Sequence, residues 1–324
     1  MSDIKKNIIN FINNKGSVSV KNIIDTFGLS RQAIQKHLSE LVEAGEIEKI
    51  GRTPRVYYSI KVTSRIKPVF KITPETEKTI NENYLIITPA GEVKNGLEGF
   101  AYWCERNNLP LEKTAEEYVK TLAKYNVWKK DGLIDSTEKI KTSFDKVGLD
   151  KMYYCDFYSI ERFGKTKMGQ FLLYAKQSQD RKLMKKISDE VRTSILGLIE
   201  KYKIDAVGFI PPTVKREVQL MKELRISLAL PLREMSIVKA RTEIVVPQKT
   251  LNKIEDRMEN ARKSIFVTDN NISKNILLID DAVGSGATLN ETALQIKRLG
   301  LCSGKIIGLA ITGSFKGFDV ISEV

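Results

Sequence analysis

The chain is poor in the residues that build metal and redox sites: among 324 residues there are three cysteines and one histidine. Cys104, Cys155 and Cys302 stand far apart, with no CxxC spacing and no histidine at metal-ligand spacing. A zinc centre and a disulfide framework are therefore excluded, and a cytoplasmic location is expected. His37 has no second ligand beside it and reads as a surface or half-buried helix residue. No apolar run approaches the roughly 20 residues that a membrane-spanning helix requires. The N-terminal stretch mixes charged and apolar residues on a helical period, unlike the unbroken apolar segment of a signal peptide. Internal repeats and low-complexity tracts are lacking too. What remains is a chain with 42% hydrophobic residues, enough to fill ordinary cores in two or three domains of about 100–200 residues each.

Charge, by contrast, is in excess. Lys and Arg number 53 against 40 Asp and Glu, a formal net charge of +13. Such an excess draws polyanions: nucleic acid, polyphosphorylated metabolites or acidic membranes. Generic lysine-rich solubility is the alternative, and the placement of the charge decides between them.

Residues 1–60 carry a recognisable order. Ile4, Ile8, Phe11 and Ile12 mark one face of a first helix, which Gly16 stops. A second short helix turns Val20, Ile23, Ile24 and Phe27 inward. Ser30 caps a third, with Ile34, Leu38, Leu41 and Val42 inward. Residues 46–50 and 56–60 read as two strands. Helix, helix, turn, helix and hairpin is the order of a winged helix. On the third helix Arg31, Gln32, Gln35 and Lys36 face outward. Arg31 in a first turn opposes the helix dipole without structural gain, yet in a DNA groove it makes sense, because Arg and Gln read guanine and adenine edges. Lys49, Arg52 and Arg55 place cations on the wing, where phosphates or a minor groove would lie. Protein docking is the other use of such a domain.

Residues 62–80, polar and containing Pro68 and Pro74, read as a linker. Residues 84–150 hold a strand at 84–88 and helices around 100–106 and 115–125, with no assignable chemistry. Residues 151–204 are aromatic-rich, then helical from about 180 to 202. Strands and helices alternate from residue 205, which implies a parallel α/β sheet with ligands at the carboxyl ends of its strands.

Residues 276–288 read ILLIDDAVGSGAT. The run 276–279 is continuously apolar, as in a strand buried on both faces, and it ends in Asp280-Asp281. Adjacent carboxylates at such a mouth repel each other and resist desolvation, so they need a partner. Gly284, Ser285 and Gly286 permit a tight turn, and Ala287 and Thr288 open a helix. Turn amides, a helix N-terminus and two hydroxyls make an anion cradle. A phosphate site beside a diol or cation site fits a sugar phosphate. Plain turn and cap chemistry is the alternative for the aspartates. No Lys-Ser/Thr follows the glycines, which argues against a P-loop, and Leu289 stands where a dinucleotide fingerprint needs a small residue.

This segment resembles the PRPP-binding motif of type I phosphoribosyltransferases (PRPP is 5-phosphoribosyl-1-diphosphate). The resemblance implies that Asp280 and Asp281 hold the ribose hydroxyls, and that Gly284, Ser285, Gly286, Ala287 and Thr288 hold the 5′-phosphate. It implies a pyrophosphate-gripping loop after the strand at 206–210, with Pro212, Thr213, Lys215 and Arg216. There Pro211 and Pro212 would ease a cis peptide bond. Residues 239–266 resemble the lid region of ComF-like members through Gln248, Leu251, Arg257, Asn260 and Phe266, with Lys239, Arg241, Lys249 and Arg257 as its cations. Asp280, Asp281, Lys215 and Arg216 are the expected catalytic set. Magnesium would enter with PRPP, held mainly by the ligand's phosphates rather than by a protein metal site. A base-binding hood would fall at 311–318, near Phe315 or Phe318.

The expected fold class is α/β: a type I phosphoribosyltransferase fold, a parallel sheet with flanking helices, behind an N-terminal winged helix-turn-helix. The expected boundaries are 1–61 for the winged-helix DNA-binding domain, 62–150 for the linker and a middle α/β segment of unknown role, and 151–324 for the phosphoribosyltransferase-like domain. The combination resembles the purine-repressor architecture, which implies a regulator on double-stranded DNA that senses PRPP. It also resembles phosphoribosyltransferase effectors of anti-phage systems such as retrons. That implies an active transferase acting on a base, nucleotide or nucleic acid, with a partner protein or nucleic acid of a defence system. A structural adaptor is the third reading. A homodimer is expected, because one winged helix reads few base pairs.

Overall fold

The computed structural model describes residues 3–61, 72–240, 251 and 253–314, and these divide into two units, one within residues 1–69 and the other within 70–324. The first unit holds α1 (Asp3–Lys15), β1 (Ser17–Ser19), α2 (Val20–Phe27), α3 (Arg31–Glu43), β2 (Ile47–Arg52) and β3 (Arg55–Ile60). Local chemistry sets its boundaries. Ser19 accepts the Asn22 N–H in a capping box, and Gly28 ends α2 at a φ of 65°. Ser30 accepts the Ala33 N–H to start α3. Ile8, Ile12, Ile23, Ile34, Leu38 and Leu41 form the core.

Two features differ from the sequence expectation. β1 pairs antiparallel with β3 as a third strand of the wing sheet, and at three residues it is too short for a periodicity to reveal. Val42 is 37% exposed, because it sits at the margin of the stripe that Ile34, Leu38 and Leu41 define.

The second unit begins with α4 (Pro74–Asn83). Pro74, which read as linker, stands in the first turn of this helix, where the missing N–H costs nothing, and Thr73 caps it. There follow β4 (Leu85–Ile87), β5 (Val93–Asn95), α5 (Gly96–Arg106), α6 (Leu111–Asn126), β6 (Lys129–Lys130), β7 (Leu133–Asp135), α7 (Thr137–Ser143), β8 (Lys151–Phe157), β9 (Ser159–Ile160) and β10 (Gly164–Lys165). Next come α8 (Lys167–Ser178), α9 (Arg181–Tyr202), β11 (Ala206–Phe209), α10 (Leu220–Leu228), β12 (Arg233–Glu234), β13 (Ile237–Lys239), α11 (Ile254–Ser264) and β14 (Ile265–Val267). Last are β15 (Ile276–Val283), α12 (Ala287–Arg298) and β16 (Ile306–Gly313).

Seven strands form the central sheet in the order β12-β11-β15-β16-β8-β7-β6. The first five run parallel; β7 and β6 add an antiparallel edge from the segment 129–135. Both faces are covered. Ile276 and Leu278 pack on one side with Leu289 and Ile296 of α12, while Leu277 and Ile279 pack on the other with Leu172 of α8, Ile195 of α9 and Leu224 of α10. Each fully buried aliphatic contributes about 1.5–3 kcal/mol, which is why residues 276–279 read as an unbroken apolar run. Among the described residues no helix is long and apolar enough to cross a membrane.

Candidate functional site

The acid pair lies inside β15, not at its end as the sequence suggested. Hydrogen bonding to β16 holds the strand extended through Asp280 opposite Ala310, Ala282 opposite Thr312 and Val283 opposite Gly313. On its other side β11 stops at Phe209 opposite Ile279, with one more bond from the Ile210 N–H to the Ile279 carbonyl at 2.9 Å. β15 therefore outruns β11, and its two carboxylates border a cleft of about 200 Å³ that the loop after β11 helps to wall.

Asp280 accepts the Asp281 N–H at 2.8 Å. Asp281 Oδ2 lies 2.9 Å from Lys176 Nζ on α8, with both side chains mostly buried. Burial, then the charge of Asp281, pushes the Asp280 carboxyl up to about 7, although Lys176 and Lys239 pull against it. Burial likewise lowers the Lys239 ammonium, opposed by Asp280 and Asp281. Lys239 ends β13 and donates to Thr213 Oγ1 at 2.6 Å, which ties that strand to the loop after β11. Arg257 on α11 also lines the cleft, with its Nε bonded to the Leu251 carbonyl at 2.8 Å.

The turn expected to cradle a phosphate lies where β15 passes into α12. Gly286 precedes the helix at a φ of 85° and, as a glycine, offers no capping side chain, so the first-turn N–H groups beyond Ala287 remain for an anion. Ser285 Oγ accepts the Ala287 N–H at 3.3 Å. A Cβ at Gly286 would come within 2.4 Å of Ile140 Cδ1, and its φ is one that L-residues rarely adopt.

The cleft thus gathers Asp280, Asp281, Gly284, Ser285, Gly286, Ala287 and Thr288 with Pro212, Thr213, Arg216, Lys239 and Arg257. Lys215 is exposed and does not line it. Both proline bonds of the loop are trans; the cis bond among the described residues is Thr53–Pro54. Arg241, Gln248, Lys249, Phe315 and Phe318 lie outside the described residues. Sequence reasoning missed Lys176. It sits far from Asp281 along the chain, and no local pattern marks a lysine that ends an otherwise apolar helix face. Replacing Lys176 with Met leaves two acids with their nearest cation gone. It is expected to destabilise the second unit by roughly 3 kcal/mol, read from urea unfolding; unaltered stability would contradict the pairing.

In the first unit Arg31, Gln32, Gln35 and Lys36 are all exposed on α3, and Lys49 and Arg55 are exposed on the hairpin; of Arg52 only the backbone is described. His37 is partly buried, 4.0 Å from Glu40. This is a helix with an apolar back and a cationic, amide-bearing front. Residues 1–48 match the winged helix-turn-helix DNA-binding family. No curated protein matches the chain. Among solved structures it is similar to adenine phosphoribosyl transferase from Trypanosoma brucei in complex with AMP, pyrophosphate and ribose-5-phosphate, at 10% identity over 52% of this chain and 85% of that one, TM-score 0.27. It is also similar to adenine phosphoribosyltransferase from Leishmania tarentolae, at 12% identity over 49% and 80%, TM-score 0.23. The winged helix-turn-helix match lies within the first unit.

Proposed function

We propose that the chain is a DNA-binding regulator, cytoplasmic and dimeric, whose second unit has a type I phosphoribosyltransferase fold and binds PRPP, so that PRPP tunes its affinity for double-stranded DNA. The observation that carries this reading is the meeting of an acid pair, a helix start led by glycine and the cations Arg216, Lys239 and Arg257 in one cleft at the carboxyl edge of a parallel sheet. A ribose diol suits two carboxylates, a 5′-phosphate suits the turn and helix start, and a pyrophosphate suits the cations. Burial and Asp281 push the Asp280 carboxyl up to about 7, so a cation or hydroxyl donors beside it would favour its charged form. Magnesium would meet that need, entering with the ligand and held mainly by its phosphates, with Asp280 and Asp281 as the nearby carboxylates. It would neutralise charge on the pyrophosphate.

Cations grouped on the pyrophosphate side also favour a second reading, a working transferase such as an anti-phage effector, in which they neutralise a leaving group. Incubation with PRPP, magnesium and a panel of bases, following pyrophosphate release, separates the two. The regulator releases none; release would put the enzyme reading first.

The DNA face has its own test. Arg31→Ala is expected to weaken binding to a fragment selected from random DNA by about 1–3 kcal/mol and to relax its sequence preference. Arg55→Ala should weaken all sequences alike and lower the salt slope by about one. Equal loss of preference in both variants would contradict the assignment of base reading to α3.

A further inference from the structure

A second cavity, of about 220 Å³, opens beside the antiparallel edge of the central sheet. No residue lines both it and the first cleft. Four aromatic rings border it, Tyr118 and Tyr125 of α6, Phe157 of β8 and Phe171 of α8, among polar side chains that include Asn83, Asn126, Thr166 and Ser194. Tyr125 and Phe157 meet edge to face with ring centroids 5.1 Å apart. Among these rings lies Asp156. Its Oδ1 accepts the Phe157 N–H at 2.9 Å and stands 3.7 Å from Lys129 Nζ. Among the described residues no donor reaches its Oδ2. Burial raises the Asp156 carboxyl against the pull of Lys129.

Two properties narrow the occupant. The charged lining is Glu82, Asp156 and Glu190 against Lys129 and Lys167, and Lys167 is already paired to Glu190 at 3.1 Å. That surplus of carboxylate repels a phosphate. Aromatic rings, the amides of Asn83 and Asn126, and a carboxyl oxygen left to accept suit a flat molecule with N–H and ring-nitrogen edges.

We propose that this cavity is a second ligand site that takes a free nucleobase or a like planar nitrogen heterocycle, with its ring among the aromatic side chains and its N–H edge on Asp156. The site stands independently of the PRPP reading. It also has a rigid link to the first cleft, because α8 lines both: Lys167 in its first turn here, and Lys176 in its last turn there. The two lysines are about 13 Å apart along the helix axis.

Calorimetric titration of the full chain with adenine, hypoxanthine, cytosine and uracil tests this, with AMP and putrescine as comparison ligands. At least one free base is expected to bind one per chain. Asp156→Asn, which removes the charge, and Ser194→Phe, which fills the cavity, should each weaken it at least tenfold. Asp281→Asn should leave it unchanged. Circular dichroism reports folding, and if Asp156→Asn does not fold, Ser194→Phe decides. Four results would overturn the proposal: no binding by any base, tighter binding of AMP or putrescine than of every base, base binding that both cavity variants retain, or base binding lost in Asp281→Asn.

Discussion

Replacing both carboxylates of β15, Asp280→Asn with Asp281→Asn, is expected to lower PRPP affinity at least 100-fold while the chain stays folded. Each carboxylate is assigned to a ribose hydroxyl or to magnesium, and a hydrogen bond to a charged group contributes about 1.5–3 kcal/mol. Losing two therefore exceeds the roughly 2.8 kcal/mol that a 100-fold change represents. Folding survives because Asn keeps the size of Asp, and relief of the buried Asp280 charge offsets the loss of the ion pair between Asp281 and Lys176. Asp280 and Asp281 sit side by side in a largely buried strand, with Lys176 as the ion partner of Asp281. Calorimetry with PRPP and magnesium measures the loss, and circular dichroism checks the fold. A double variant that binds as the parent does would remove the basis of the site.

The single change Asp280→Asn should make the second unit more stable, and by an amount that depends on pH. Burial and Asp281 raise the Asp280 carboxyl to about 7, whereas in the unfolded chain it titrates near about 3.9. Between those values the folded chain holds a proton that the unfolded chain has released. Stability therefore falls as pH rises from about 4 to about 7 and levels off above. Asn has no proton to lose and escapes this penalty. The variant should gain roughly 1–4 kcal/mol over the parent at pH 8, and the gain should shrink toward zero as pH falls to 4. Both tryptophans of the chain, Trp103 and Trp128, belong to the second unit, so urea unfolding followed by their fluorescence reads that unit alone. A gain at pH 5 as large as at pH 8 would contradict the cause assigned here. A functional site that costs stability is the common pattern where a fold holds a group for a ligand rather than for itself.

What could be read in advance follows the range of the interactions. The start of α3 was legible because Ser30 caps it within four residues, and so was the turn from β15 into α12, where Gly284, Ser285 and Gly286 stand next to the acids they serve. The alternating faces of β15 were legible too, since Ile276 to Ile279 leave no polar position. The extent of that strand was not: Asp280 stays in it because Ala310 lies opposite, and β16 comes only after a whole helix. Lys176 was hidden for the same reason, its partner being set by how α8 crosses the sheet. Lys215 and Arg216 are adjacent in sequence and alike in charge, yet only Arg216 lines the cleft, a choice made by the irregular backbone of the loop. The segment 129–135 showed no motif at all. It joins the sheet by pairing with β8, and such edge pairing depends on its neighbour rather than on its own few residues.

The proposed function couples the two units, with PRPP in the cleft of the second changing the affinity of the first for DNA. Its most direct test is the affinity of the full chain for a selected DNA fragment, by fluorescence anisotropy, with and without saturating PRPP and magnesium. At least a threefold change in Kd is expected for the parent chain and none for the variant lacking both Asp280 and Asp281. The same Kd with and without PRPP in the parent chain would contradict it.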